Sequence, residues 1–233
     1  PKIPPLLVNN IFVVNYTEKA KLLTDFFSRQ CKPVINDSVL PNFSYLTNEK
    51  IEQIPIENED IVSLIRKLNP NKANGSDGIS GQMLLLCDDS VVLPLRIIFG
   101  NILSTATYPD IWKLANVTPI FKKGNKQLIE NYRPISLLPL CGKIFEKIIF
   151  NNLYKHLTTH HLITKNQSGF RPGDSTTNQL IDLVDEIHQA FDSTKSLEVR
   201  AVFLDISKAF DKVWHDGLIF KMRQNGISGK LLK

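Results

Sequence analysis

Phe203-Leu-Asp205-Ile-Ser-Lys-Ala-Phe210-Asp211-Lys-Val-Trp214-His215 joins two periodicities in one short stretch. The residues leading into it, Val199, Ala201, Val202, Phe203 and Leu204, favour a buried strand, and from Ser207 the spacing turns helical. Asp205 is therefore expected where strand becomes helix, a rigid edge on which a carboxylate can hold a divalent metal beside a nucleotide. The same residue has a plainer use, because an Asp after an apolar strand often caps the helix that follows. Asp211 invites pairing with Asp205, yet it falls beyond the strand edge on a helical turn. There, local hydrogen bonding or a surface ion pair is the natural role.

Upstream, between Ala115 and Leu138, a second stretch reads as β-structure. Val117, Ile120 and Phe121, then Ile135, Leu137 and Leu138, predict two strands joined by Lys122-Lys123-Gly124-Asn125-Lys126, a β-hairpin with a basic tip. With Arg133 these lysines form a basic cluster suited to phosphate, although a lysine-rich tip also serves simply to solvate a turn. A further Gly/Arg loop follows at Gln167-Ser-Gly-Phe170-Arg171-Pro172-Gly173.

The rest of the chain is mainly helical in pattern. Apolar residues recur at helical spacing over Thr17–Arg29, behind a Thr17 cap, and over Asn58–Leu68, Ile79–Cys87, Val91–Thr105, Cys141–Leu157 and Thr176–Phe191. Pro94 is compatible with a first helical turn only. Residues 31–56, punctuated by Pro33, Pro41 and Pro55, read as a connector, with a subdomain boundary near residue 56. The run Asn69 to Gly78 is a loop, and its Asp77 is suited to capping the helix after it.

Composition fits a globular protein: 42% of the residues are hydrophobic and 22% charged, enough for a real core. A net charge of +5 favours a polyanionic partner without establishing one. Cys31, Cys87 and Cys141 are odd in number and scattered, so no disulfide framework is expected and a reduced, intracellular setting is the natural one. No apolar run is long enough to span a bilayer, and the opening Pro-Lys-Ile-Pro-Pro has neither an initiator Met nor the order of a signal peptide. The chain reads as part of a longer polypeptide.

Three other groupings imitate sites. Asp88-Asp89 looks like a paired acid but lies between helices, where a helix terminus explains it. His156, His160 and His161 with Cys141 lack the paired spacing of a zinc site. Gly226-Ile-Ser-Gly229-Lys230 has too short a glycine spacing for a phosphate loop.

Taken together and in order, five stretches resemble the reverse transcriptases of non-LTR (LINE-type) retrotransposons, jockey-like elements especially. They are Gly75-Ser-Asp-Gly-Ile79, Trp112 to Lys126, Glu130-Asn-Tyr-Arg-Pro-Ile-Ser-Leu137, Asn166-Gln-Ser-Gly-Phe-Arg-Pro-Gly173 and Phe203 to His215. The resemblance implies an α+β right-hand polymerase, incomplete here, with mostly helical fingers, a basic β-hairpin and the first palm strand. It divides the chain into an N-terminal helix and connector over 1–56, fingers over 57–196 and the start of a palm over 197–233. It also implies an RNA template, a DNA primer and deoxynucleoside triphosphates as partners, two Mg²⁺ ions as cofactors, no membrane, and the remainder of a polyprotein. A ribonucleoprotein of this kind reaches the nucleus at some stage.

By the same resemblance, Asp205 binds both ions and the carbonyl of Ile206 helps hold one. Lys122 and Arg133 contact the triphosphate. Phe210 lies beneath the sugar, where a phenyl ring both blocks a 2′-hydroxyl and leaves it unpartnered. Gln167 and Arg171 shape the fingers or meet the template. The chain departs from the family at Ser76, where the loop ordinarily carries proline, and neither a Gly-x-x-Gln-Gly stretch nor an Asp-Asp hairpin follows Asp205. Residues 1–233 alone are therefore expected to be inactive. The alternative is a nucleic-acid-binding remnant of a retroelement that keeps the basic fingers without catalysis.

Overall fold

A computed structural model describes residues 3–30, 39–192 and 198–233. Cys31, Pro33 and the expected boundary between residues 196 and 197 lie outside them. The chain opens with β1 (Leu6–Val8) and β2 (Ile11–Val13), an antiparallel pair. Their turn is Asn9-Asn10, both at positive φ (50° and 62°), the geometry that matches the twist of paired strands and that Asn tolerates. Helix α1 (Tyr16–Gln30) follows. Its cap is Asn15, not Thr17: the Asn15 Oδ1 accepts from the backbone N–H of Thr17 at 2.9 Å and of Glu18 at 3.2 Å.

The main core lies among α2 (Asn58–Arg66), α3 (Gly81–Cys87), α4 (Val92–Thr105), α5 (Asp110–Lys113) and α6 (Leu140–Thr159). Phe99 is completely buried at its centre, with ring centroids 5.2 Å from Phe145 and 6.0 Å from Trp112. The first half of α6 buries Leu140, Cys141, Ile144, Phe145 and Ile148, covering more than one face, which suits a helix surrounded by others. Gly142 permits the approach of α5's neighbour Tyr108, whose hydroxyl a Cβ there would meet at 2.8 Å.

Strands β3 (Asn116–Phe121) and β4 (Tyr132–Leu137) form the predicted hairpin, in the antiparallel register Phe121↔Tyr132, Ile120↔Arg133, Thr118↔Ile135. The connection is longer than the lysine run. It extends to Asn131 and includes a 3₁₀ turn at Ile129–Asn131. Side chains alternate across a strand, and one face of the hairpin carries Phe121 and Tyr132 onto Leu6, Leu23 and Phe27 in a second, smaller core. β1 is tied to the connection by Leu7 N–H donating to the Gln127 carbonyl at 2.8 Å.

Segment 39–56 is joined to the far end of the chain. α8 (His215–Gln224) and α9 (Gly229–Leu232) receive it through Leu46 N–H to Gln224 O at 2.8 Å, Ile51 N–H to Gly226 O at 3.0 Å, and Ser228 N–H to Ile51 O at 3.0 Å. Ile54 and Ile227 are buried along this seam, and Phe43 packs edge-on against Phe220.

One expectation fails here. Residues 198–206 form no strand, and Val202, Phe203, Leu204 and Ile206 are 75–91% exposed. The first palm strand is therefore absent among the described residues. A strand satisfies its backbone only through hydrogen-bonded neighbours, and none of the described strands pairs with this run. Helical structure also starts later than the spacing predicted, since residues 207–212 form turns and α8 begins at His215. Helix α7 (Thr176–Asp192) is present as predicted but buries no residue, leaving Leu180, Ile181, Val184 and Phe191 largely exposed.

Candidate functional site

The hairpin's second face is open. Ladder parity puts Thr118, Ile120, Arg133 and Ile135 on it together, and Lys122, whose N–H still donates to Asn131 O at 2.8 Å, continues the same row. Lys122 and Arg133 are both exposed and diagonal neighbours. No ion pair neutralises either among the described residues. The hairpin thus presents two uncompensated cations side by side, with the exposed apolar side chains of Ile120 and Ile135 beneath them.

The tip is built, not loose. Gly124 has φ 87°, Asn131 Nδ2 donates to Asn125 O at 2.9 Å, and the Tyr132 hydroxyl donates to Lys126 O at 2.7 Å. Burial pushes the Tyr132 phenol up from its ordinary value, in keeping with a hydroxyl that stays protonated and donates. Lys126 folds back, its ammonium 5.4 Å from the centre of the Phe121 ring. Lys122 and Lys123 are the lysines of the tip left facing outward.

Asp205 and Ile206 lie on the exposed run after residue 198. Among the described residues no ion pair joins Asp205 to Lys122 or Arg133. Phe210 is 80% exposed and meets Phe170 edge-on at 6.1 Å. That contact brings the turn after Asp205 against the Gln167–Gly173 loop. Asp211 reaches the other side of the hairpin, where it lines a cavity of about 630 Å³ with Lys19, Leu23, Pro119 and Pro134. Lys208, at φ 55°, places its ammonium 5.9 Å from the Phe26 ring of α1.

Gln167 and Arg171 hold their own loop. Gln167 Nε2 donates to Gly169 O at 3.3 Å, and Arg171 Nη1 donates to Thr164 O at 3.3 Å. Asp174 ends the loop by accepting from Ser175 N–H at 2.7 Å, and that bond holds its carboxyl below the usual range.

The groupings that imitate sites resolve into structure. Asp88 and Asp89 open a 3₁₀ turn and face Arg66 at 3.7 and 3.8 Å. His156 is buried and bonds to Asn225 O, while Cys141 belongs to the main core. Asp77 Oδ1 accepts from Ile79 N–H at 3.2 Å, but the cap of α3 is Ser80, whose Oγ accepts from Met83 N–H at 3.1 Å. Ser76 Oγ donates to Leu114 O at 3.1 Å, tying this loop to the approach of β3. Lys67, Lys72 and Lys143, unremarkable as a set in the sequence, are gathered around one cavity by the fold. They come from separate segments, so no local pattern marks them.

Residues 120–233 match the family described as reverse transcriptase (RNA-dependent DNA polymerase). Over 171 residues the chain is 39% identical to a probable RNA-directed DNA polymerase from transposon BS of Drosophila melanogaster, which covers 73% of this chain and 19% of that protein. It is 36% identical to the RNA-directed DNA polymerase from mobile element jockey of Drosophila funebris, over 72% of this chain and 18% of that one. A retrovirus-related Pol polyprotein from the type-1 element R2 of Popillia japonica is 27% identical over 74% of this chain and 23% of its own length. The chain spans about a fifth of the curated relatives it matches.

Proposed function

We propose, from the premise that the chain belongs to the reverse transcriptase family of non-LTR retrotransposons, that it forms the fingers and the entry to the palm of an RNA-directed DNA polymerase. The observation that carries this is the pairing of Lys122 and Arg133 on the open face of a hairpin whose opposite face is anchored by Phe121 and Tyr132. Two cations held on a ladder can neutralise a triphosphate as charge moves during nucleotidyl transfer. In this reading Phe210 excludes the 2′-hydroxyl of a ribonucleotide, and Gln167 and Arg171 keep the adjoining loop in shape beside the template.

Enzymes of this family use divalent metal ions. Among the described residues no three His, Cys, Asp or Glu side chains gather as a metal centre, and Asp205 stands on an exposed run. These residues by themselves do not fit a two-ion clamp. Asp205 and the Ile206 carbonyl are candidate ligands only in company with further carboxylates. We therefore expect residues 1–233 alone to show no RNA-templated primer extension with Mg²⁺ above an Asp205→Ala control, and extension above that control would overturn this.

The nucleotide grip is tested separately by titrating residues 1–233 with a fluorescent deoxynucleoside triphosphate. Lys122→Gln and Arg133→Gln should each weaken binding about tenfold, the loss of roughly 1.4 kcal/mol of charge-assisted hydrogen bonding. Unchanged affinity in both variants would remove the hairpin from the nucleotide site.

A further inference from the structure

Resting on the polymerase reading above, we propose that a pocket at the root of the hairpin, ringed by Lys67, Lys72 and Lys143, holds the phosphate backbone of a single-stranded nucleic acid running along the hairpin's open face.

The pocket measures about 350 Å³ and takes its wall from three places: Lys67 at the end of α2, Lys72 in the loop after it, and Lys143 in the first turn of α6. Leu137, Leu140 and Asn69 supply much of the remaining lining, and no Asp or Glu contributes. None of the three lysines makes an ion pair among the described residues. Three lysines around a cavity whose lining carries no carboxylate suit a polyanionic ligand.

The loop that carries Lys72 is also fixed in place. A Cβ on Gly75 would overlap the backbone of Leu138 and Pro139, and one on Gly81 would lie 3.0 Å from Asn69 O. The lysines therefore surround the entry to α6 as a built feature.

The pocket is continuous with the open face. Leu137 shares ladder parity with Ile135 and Arg133, so the pocket and the Lys122–Arg133 pair are two ends of one row. At about 3.4 Å per strand residue, Arg133 and Leu137 are separated by roughly 14 Å. A stacked strand rising about 3.4 Å per nucleotide covers that length with roughly four nucleotides. Ile135 lies between the basic ends and Ile120 directly across from Arg133, 46% and 45% exposed, an apolar surface against which bases can rest. Lysine reads phosphate as a point charge, so the track positions a strand without reading its sequence.

The test is fluorescence anisotropy of a labelled oligouridylate with residues 1–233 across a salt series. For Lys72→Gln/Lys143→Gln we expect weaker binding and a salt slope reduced by about 1.4, or about 0.7 for each lost phosphate contact. Lys72→Arg/Lys143→Arg should keep the slope, and so should Lys21→Gln, which removes an exposed charge on α1. Oligothymidylate should give the same losses, because the contacts are to phosphate. If the chain binds the fluorescent triphosphate but the double Gln variant keeps the wild-type slope, the pocket is overturned and the polymerase reading stands. Competition by polyglutamate as effective as by oligouridylate would overturn the nucleic-acid assignment. Failure of the chain to bind either oligonucleotide would overturn the pocket as well.

Discussion

His156 Nε2, near the end of α6, lies 2.8 Å from the carbonyl oxygen of Asn225, the residue that closes α8. A carbonyl only accepts, so that ring nitrogen must carry the hydrogen. His156 is buried, and the contact links the main core to the segment that follows Asp205. Replacing it with Leu leaves the Asn225 carbonyl without its donor, at a cost of about 1–3 kcal/mol. His156→Gln, which retains a donor, should recover part of the loss. Urea unfolding midpoints of the two variants decide this, and equal midpoints would show that the bond contributes nothing.

The neighbouring Gly226 has φ 84°, and a Cβ there would overlap the Glu49 carbonyl oxygen. Gly226→Ala therefore meets both a left-handed backbone and the 46–56 segment. The penalty for such combined strain is of the order of 2–4 kcal/mol. We expect loss of protection at the amides of Ile51 and Ser228, both bonded across this seam, in hydrogen exchange. Undiminished protection at those amides would count against the seam as a structural joint.

Cys141 gives a pH dependence. Burial first, and the nearby Asp77 carboxylate second, push its thiol up to about 11 from an ordinary 9.0. The folded chain then holds this proton at pH values where the unfolded chain releases it. Its contribution is level below about pH 9, and stability declines as pH rises from about 9 toward about 11. Cys141→Ala should flatten that alkaline decline in denaturant titrations. The same burial should protect Cys141 from alkylation while the exposed Cys87 reacts.

Phe99→Ala should cost about 3–5 kcal/mol, because the fully buried ring touches both Phe145 and Trp112 and its removal leaves a cavity. A change of that size lowers the thermal midpoint clearly. A small shift would mean that α4, α5 and α6 collapse around the gap.

Where the sequence was readable, local periodicity carried the signal. Val117, Ile120 and Phe121 opposite Ile135 and Leu137 marked the hairpin, and helical spacing marked α1, α2, α4, α6 and α7 close to their observed limits. The Asn9-Asn10 turn between two apolar triplets is the local sequence signal for β1 and β2. Non-local structure left no such trace. The parallel bridge Ile51↔Ile227 joins segments distant in the chain, and the gathering of Lys67, Lys72 and Lys143 depends on how α2 meets α6. The run Val199 to Leu204 has strand composition, but composition cannot supply the neighbours that a strand needs. The candidate site divides the same way: Lys122 and Arg133 follow from hairpin parity, whereas the position of Asp205 depends on tertiary partners.

The Tyr132 hydroxyl offers the sharpest separation between hairpin stability and hairpin function. It donates to Lys126 O at 2.7 Å and so pins the tip while the ring remains in the second core with Leu6, Leu23 and Phe27. Tyr132→Phe keeps the buried ring and deletes one hydrogen bond, a global cost of about 1 kcal/mol. Locally the effect should be larger, because Lys126 O loses its anchor and the Lys122–Lys126 turn gains freedom. Trypsin should then cleave within that turn faster than in the wild type under native conditions. Triphosphate affinity should fall too, since the turn that follows Lys122 is held less firmly beside Arg133. If cleavage accelerates while affinity is unchanged, tip rigidity is irrelevant to the grip. If neither changes, the connection is held by its other bonds, those of Asn125 and Asn131 and the Leu7 N–H to Gln127 O among them.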